Sequence, residues 1–353
     1  MIGVLSNGSD ARTDAREAFS QAAQAFAPDR PILVVSHFDA DGLAAAAILA
    51  RGLGEQGHAV DVRITGKGES PWEPEFRAEL EARKPGGLIV ADLGTRAEPV
   101  LARCPTVVID HHVPTGAPDR ATVISGNGLV PEPRSALLAY WALGAPDGLG
   151  WLAALGLIGD MAPEDAFPEL AEAQARYGKT ALKMATSLVN APRRTAAADA
   201  SPALALLMRG DGPKAVSKEP SAERELLVAA KAEVAEAMDA AKRVPPRVVG
   251  DVALIRFHAG QQIHPLIAQQ WRGRLKDKIV LAANTGYREG WVHFAARSAT
   301  GRDLVAFLAE HRPPGADSRY GSGHKQATGG ALRYDDWNAF VSGLGFPEQQ
   351  VPA

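Results

Sequence analysis

One cysteine, Cys104, stands among 353 residues, so no intramolecular disulfide can form. A lone thiol of this kind reads as a small apolar residue in a chain kept in a reducing cytoplasm. No apolar run approaches the ~18 residues of a membrane span, which argues against a membrane partner. The start, Met1-Ile2-Gly3-Val4-Leu5, lacks both a basic segment and a long apolar one, so no secretory signal is expected. Net charge is only −3, which disfavours nucleic acid as a partner at first sight. The six tryptophans are dispersed, which suits packing better than base stacking.

What is present is an ordinary globular composition, 46% apolar and 22% charged, with length enough for two domains. The small net charge hides an asymmetry. From Arg247 to Arg333 there are 13 Lys/Arg against 6 Asp/Glu, a surplus of +7, which leaves −10 elsewhere. An acidic domain with a basic companion suits a bound cation in one and an anionic substrate on the other.

The chain is organised around Ser36-His37-Phe38-Asp39-Ala40-Asp41-Gly42. The run Pro31–Val35 before it reads as a buried strand, and the small-residue run Leu43–Leu49 after it as a helix. Strands at Val60–Ile64, Gly87–Ala91 and Thr106–Ile109 alternate with helices at Glu75–Arg83 and Ala97–Arg103, after an N-terminal helix at Asp10–Phe26. That alternation predicts an α/β domain with a parallel sheet covered by helices on both faces. Beyond the turn-rich Pro114–Pro118 and Pro131–Pro133 the pattern turns helical. It ends in a long helix, Ala222–Arg243, stopped by Pro245-Pro246. A second, smaller α/β domain follows, with strands at Val248–Phe257, Ile279–Thr285 and Trp291–Ala296 and helices at Pro265–Trp271 and Arg302–His311. The expected division is a catalytic domain over 1–195, a helical linker over 196–246 and a substrate-binding domain over 247–353.

Three strands end in acids: the first before His37, Asp39 and Asp41, the next before Asp92, the third before Asp110-His111-His112. In a parallel sheet all strand C-termini share one edge, where such sheets bind ligands. A single aspartate there is a common helix cap, but several carboxylates and three histidines at one edge call for a cation. Imidazole and carboxylate without thiolate favour manganese, zinc or iron, with magnesium a weaker fit. Two ions roughly 3.5–4 Å apart would clamp a phosphoryl group and supply a metal-bound hydroxide as nucleophile.

The chain resembles the DHH phosphoesterases on these residues. The triplet is Asp110-His111-His112, the first motif His37-x-Asp39-x-Asp41-Gly42, the second Asp92 and the fourth Asp160 in Ile158-Gly159-Asp160-Met161. The stretch Gly321-Ser322-Gly323-His324-Lys325-Gln326-Ala327-Thr328-Gly329-Gly330 is similar to the glycine-histidine motif of the DHH-associated domain. The resemblance implies two divalent cations, manganese first and magnesium second. His37, Asp39 and Asp92 would hold one; Asp41, Asp92, His111 and Asp160 would hold the other. It implies that Asp110 orients a histidine ligand and that His112 contacts the scissile phosphate. Arg297, Ser298, His324 and the amides of Gly321 and Gly323 would grip substrate phosphate. The two-residue spacing of His37 and Asp39 is similar to the RecJ-like branch. It implies an exonuclease-like phosphodiesterase acting on single-stranded DNA or RNA, short oligonucleotides or nucleotides. The alternatives are a small-molecule phosphodiesterase or phosphatase and, third, a non-catalytic nucleic-acid-binding scaffold.

Overall fold

The computed structural model describes residues 2–4, 10–317 and 320–352 and divides into two units. The first comprises 1–193 and 198–231; the second comprises 194–197 and 232–353. Helices α8 (Ser201–Arg209) and α9 (Pro213–Ser217) thus belong to the first unit, and α10 (Ala222–Ala241) runs from one to the other.

The first unit is built on β1 (Ile2–Val4), β2 (Ile32–Ser36), β3 (Val60–Ile64), β4 (Gly87–Ala91), β5 (Thr106–Asp110) and β6 (Ala121–Ser125). They form an all-parallel sheet in the order β1-β6-β5-β4-β2-β3. β2 runs to its neighbour on one side, and the chain then returns to β4 on the other. The strand order therefore reverses at β2, the position where open sheets leave a crevice at their C-terminal edge.

Both faces are covered, as the apolar strands require. Ile32 and Val34 face a large core shared with α1 (Asp10–Ala23), α2 (Ala40–Glu55), α4 (Ser135–Ala142), α5 (Gly150–Gly159), α6 (Pro168–Tyr177) and α7 (Lys179–Val189). Leu33 and Val35 face a smaller core with Phe76 and Leu80 of α3 (Pro74–Ala82). α2 is buried on every side from Ala40 to Ala50, and its alanines let α4 and α5 approach closely.

The second unit is a mixed sheet, β11-β12-β10-β9-β8-β7. Its strands are β7 (Arg247–Val249), β8 (Val252–Phe257), β9 (Ile279–Arg288), β10 (Trp291–Ser298), β11 (Ser322–His324) and β12 (Ala327–Arg333). Among the described residues of this unit, only β8 and β9 pair in parallel. α11 (His264–Arg274) and the C-terminal half of α10 cover one face. α12 (Leu304–Glu310) and α13 (Tyr334–Gly343) cover the other.

Two sequence expectations are corrected. Residues 97–103 form no helix, since Pro99 removes a donor from a stretch too short to spare one; Val100 and Leu101 still plug the outer core from irregular backbone. Val248–Phe257 is not one strand but a hairpin, turning at Gly250 with φ +55°. Strands β1, β6, β11 and β12 and helices α9 and α13 have no counterpart in the sequence reading. Among the described residues no helix is long and apolar enough to cross a membrane.

Phe294 is the hub of the second core, its ring 5.5 Å from Phe340, 5.8 Å from Tyr320 and 6.1 Å from Trp337. Phe294→Ala is expected to cost about 3–5 kcal/mol of folding stability by lost burial and a residual cavity. Urea unfolding followed by tryptophan fluorescence checks this; a loss below about 1 kcal/mol contradicts the packing described.

Candidate metal centre

The functional side chains rise from the C-terminal edge around β2, β4 and β5. His37 follows β2, its amide donating to Ala91 O at 3.2 Å, so the motif loop stays tied to β4. Ser36 adds a tie, its hydroxyl donating to Gly42 O at 2.7 Å. Gly42 is required where it stands, because a Cβ there would lie 2.4 Å from His37 O. Asp39 caps α2 and accepts from Gly42 N at 3.1 Å.

Asp41 points instead at the start of α4, accepting from Ser135 N at 2.8 Å and Ala136 N at 2.9 Å. Asp39 and Asp41 thus occupy the positive ends of two helices, which favours their charge. Asp160 does the opposite: it sits at the C-terminal cap of α5, where a carboxylate is disfavoured unless a cation is near. Asp92 follows β4 in the left-handed region, φ +61°, a conformation a non-glycine residue adopts only where neighbours hold it. Its amide donates to Ile109 O at 3.0 Å, and Ser135 Oγ donates to its Oδ1 at 2.9 Å.

These residues form three groups whose ligand atoms lie within 4.8 Å of one another: His37–Asp39–Asp92, Asp92–His111–His112 and Asp41–His111–Asp160. The His111 Nε2 atom lies 3.1 Å from Asp160, 3.6 Å from Asp92 and 3.8 Å from Asp41, yet makes a hydrogen bond to none of them. A buried imidazole nitrogen ringed by three carboxylates and left unbonded is a donor set that fits a divalent cation. Protons carry the compensating charge here. Burial would lower the pKa of His37, but the Asp39 charge and hydrogen bonds to Asp39 and Asp92 carry it up to about 10. Burial and the Asp39 charge push Asp92 up to about 7, and burial with Asp92 and Asp160 raises Asp41. Asp39 moves the other way: burial opposes the change, but His37 and Arg193 hold it well below the usual range.

Asp110 is fully buried and serves His112, accepting from its backbone N at 2.9 Å and its Nδ1 at 2.7 Å. Against the desolvation of burial, this bond and the charge of Asp110 raise His112 to about 9. His111 takes its own partner from elsewhere: Glu132 Oε1 lies 3.2 Å from Nδ1, and Arg134 donates to that same oxygen at 2.5 Å. Sequence reading misses Glu132, Arg134 and Ser135. The one signal is that the buried start of α4 has no capping side chain of its own, so its amides need a carboxylate from elsewhere.

The expected substrate residues belong to the second unit. Arg297 donates to Ala296 O at 2.8 Å and Thr328 O at 3.1 Å and lines an open depression of about 370 Å³ with His264 and His293. Ser298 is fully buried, its hydroxyl 2.9 Å from Thr300 Oγ1, so it is not offered to a ligand. The glycine run forms the hairpin β11–β12, and the Gly321 amide, expected to grip phosphate, is spent on Gly329 O at 2.9 Å. Gly323 sits in β11 opposite Thr328 with φ +130°. The side chain of His324 lies outside the described residues.

Residues 31–136 match the model of the DHH family, N-terminal domain, which bears out the resemblance carried by the motifs at His37–Gly42, Asp92 and Asp110-His111-His112. A structure of exonuclease RecJ bound to manganese superposes with TM-score 0.69 at 22% identity, covering 96% of this chain and 95% of that one. RecJ from Thermus thermophilus in complex with Mn²⁺ gives TM-score 0.69 at 23% identity. There 96% of this chain covers only 55% of the other. A DHH domain from a protein described as belonging to a family of ribosomal proteins gives 0.64 at 17% identity, covering 95% and 89%. At these identities the likeness is one of fold. No match was found among the curated proteins.

A cation must displace the protons on Asp92 and His37, so metal binding is expected to release protons and to strengthen as pH rises. Release should fall by about one proton between about pH 6 and 8.5, as Asp92 gives up its proton unaided. Calorimetry with Mn²⁺ in buffers of different ionisation enthalpy measures this; pH-independent release contradicts it. Without metal the folded chain holds more protons than the unfolded one through the range from about 7 to about 10, so its stability should decline there. Glu132→Gln is expected to weaken metal binding about 10- to 100-fold, by loosening the His111 ring.

Proposed function

Because residues 31–136 carry a DHH-family N-terminal domain, we propose that the chain is a two-metal phosphodiesterase acting exonucleolytically on single-stranded or short nucleic acid. The observation that supports this most directly is the chain of overlapping clusters. His37–Asp39–Asp92 and Asp41–His111–Asp160 are joined through Asp92 and His111. One ion would rest on His37, Asp39 and Asp92, the other on Asp41, Asp92, His111 and Asp160. Manganese is the first choice and magnesium the second, in keeping with structures described as RecJ with Mn²⁺ and with Mg²⁺. When bound, such ions activate water and neutralise charge on phosphoryl oxygens.

The protein's own part is positioning and proton transfer. Asp110 fixes the His112 ring through Nδ1, which leaves Nε2 as its other donor. The hydrogen bond and charge of Asp110 favour the protonated ring of His112, which would donate a proton to the leaving oxygen. The basic surplus of residues 247–333 draws in a polyanion, and Arg297, Gly323 and His324 contact its phosphates. The cytoplasm, where nucleotides and reduced thiols coexist, is the compartment that fits.

Hydrolysis of an end-labelled length series from dinucleotide upward, as DNA and as RNA, tests this with Mn²⁺ and with EDTA. Cleavage is expected with the metal only and to yield mononucleotides. Asp41→Ala should abolish it, and His112→Gln should slow it by about 10²- to 10⁴-fold. Unchanged hydrolysis in Asp41→Ala or Asp110→Ala contradicts the assignment. Turnover of dinucleotides or nucleotide phosphates alone points to the small-molecule reading.

A further inference from the structure

The two oxygens of Asp39 have different tasks. Oδ1 accepts from Gly42 N at 3.1 Å as the cap of α2. Oδ2 lies 3.1 Å from His37 Nδ1, beside the imidazole of its cluster. A second cationic group stands at that same oxygen: Arg193 Nη1, at 3.7 Å. The Arg193 side chain is only 18% exposed, so little water screens its charge from the carboxylate. A divalent ion on His37, Asp39 and Asp92 would have this guanidinium as a like-charged neighbour.

Arg193 is fixed from both sides along the chain. It lies in a short 3₁₀ turn, Pro192–Arg194. Three residues earlier, Asn190 Oδ1 accepts from Ala40 N at 2.9 Å, an amide that stands between Asp39 and Asp41 at the start of α2. The chain leaves the first unit after Arg193 and rejoins it at Ala198. Residues 194–197 are stitched into the second unit instead. Arg194 O accepts from Gln262 N at 2.9 Å, and Arg194 Nη1 donates to Gln262 O at 3.4 Å. Ala196 N donates to Glu233 Oε1 at 2.9 Å, and Gln261 Nε2 donates to the same oxygen at 2.8 Å. Gln261 O accepts in turn from Asn284 Nδ2 at 2.8 Å, an asparagine fully buried in β9. Arg193 is thus one peptide bond away from a segment whose backbone the second unit grips.

We propose that Arg193 is a positioning residue of the metal centre, standing at the Asp39 oxygen in a cation's place, and that the second unit sets its hold through residues 194–197. Metal binding is then a competition between a guanidinium and a divalent ion for one carboxylate. Loosening the grip of Glu233 on Ala196 lets Arg193 yield, which tightens metal binding although every candidate ligand belongs to the first unit. The proposal rests on the metal-centre reading and is independent of which phosphoester is cleaved.

Calorimetric titration of the whole chain with Mn²⁺ tests this without any substrate. Arg193→Gln is expected to tighten Mn²⁺ binding by about tenfold, since it removes a like charge beside the ion. Arg193→Lys keeps the charge and should stay within about threefold of the unaltered chain, a distinction that lost packing alone does not produce. Glu233→Ala, in the second unit, should tighten binding by about threefold and add nothing in the Arg193→Gln background. Circular dichroism verifies the fold of each variant. Unchanged or weaker binding in Arg193→Gln, equal effects of Gln and Lys, or a Glu233→Ala effect that is absent or persists in the double variant overturns the proposal. Failure of the unaltered chain to bind Mn²⁺ overturns it together with the metal centre.

Discussion

Asp41, Asp92 and Asp160 bring carboxylate oxygens within 4 Å of one imidazole nitrogen, with Asp41, Asp92 and the imidazole buried and Asp160 partly exposed. Like charges held this closely in a medium of low polarisability repel by several kcal/mol, so this assembly exists only if something else keeps it together. The surrounding scaffold supplies that restraint. The parallel sheet fixes the spacing of β2, β4 and β5; the amides of α4 grip Asp41; a left-handed backbone turn aims Asp92. Raised pKa values at His37 and Asp92 favour protons that neutralise part of the remainder, a task a bound cation would share.

Helix ends sort the carboxylates into different roles. Asp39 and Asp41 rest on helix N-termini, where the backbone already favours negative charge. Asp160 rests on a C-terminus and has no such support. A site built from both kinds is held in place by the first two and left short of positive charge at the third. Asp110 stands apart from the clusters, and its energy goes into fixing one histidine rather than into ligation.

Much of this was legible in the sequence for a geometric reason. A parallel sheet gathers its strand ends at one edge, so His37, Asp92 and Asp110 had to converge whatever lay between them. The residues that escaped sequence reading act through contacts no periodicity encodes. Glu132 lies among prolines that look like a plain turn, and it reaches His111 only because the following helix docks on Asp41. β12 is hidden by its glycines, which lower strand propensity. Gly329 is there because a Cβ would lie 2.4 Å from Phe294 O of the adjoining strand. The stretch 97–103 shows the reverse error, a helical composition overruled by Pro99.

Gly156 lies in the interior of α5, where a Cβ would stand 2.3 Å from Asp41 Oδ1 and 2.5 Å from Ala136 Cβ. Glycine inside a helix sacrifices roughly 0.5–1 kcal/mol relative to alanine. Replacing such glycines is among the commonest routes by which a protein gains thermal tolerance. Here that route is closed, together with its counterpart at Gly42 in α2. Any descendant of this chain that adapts to heat has to find its gain in the outer helices or the second unit, while α2 and α5 keep their weak points where they adjoin the carboxylates.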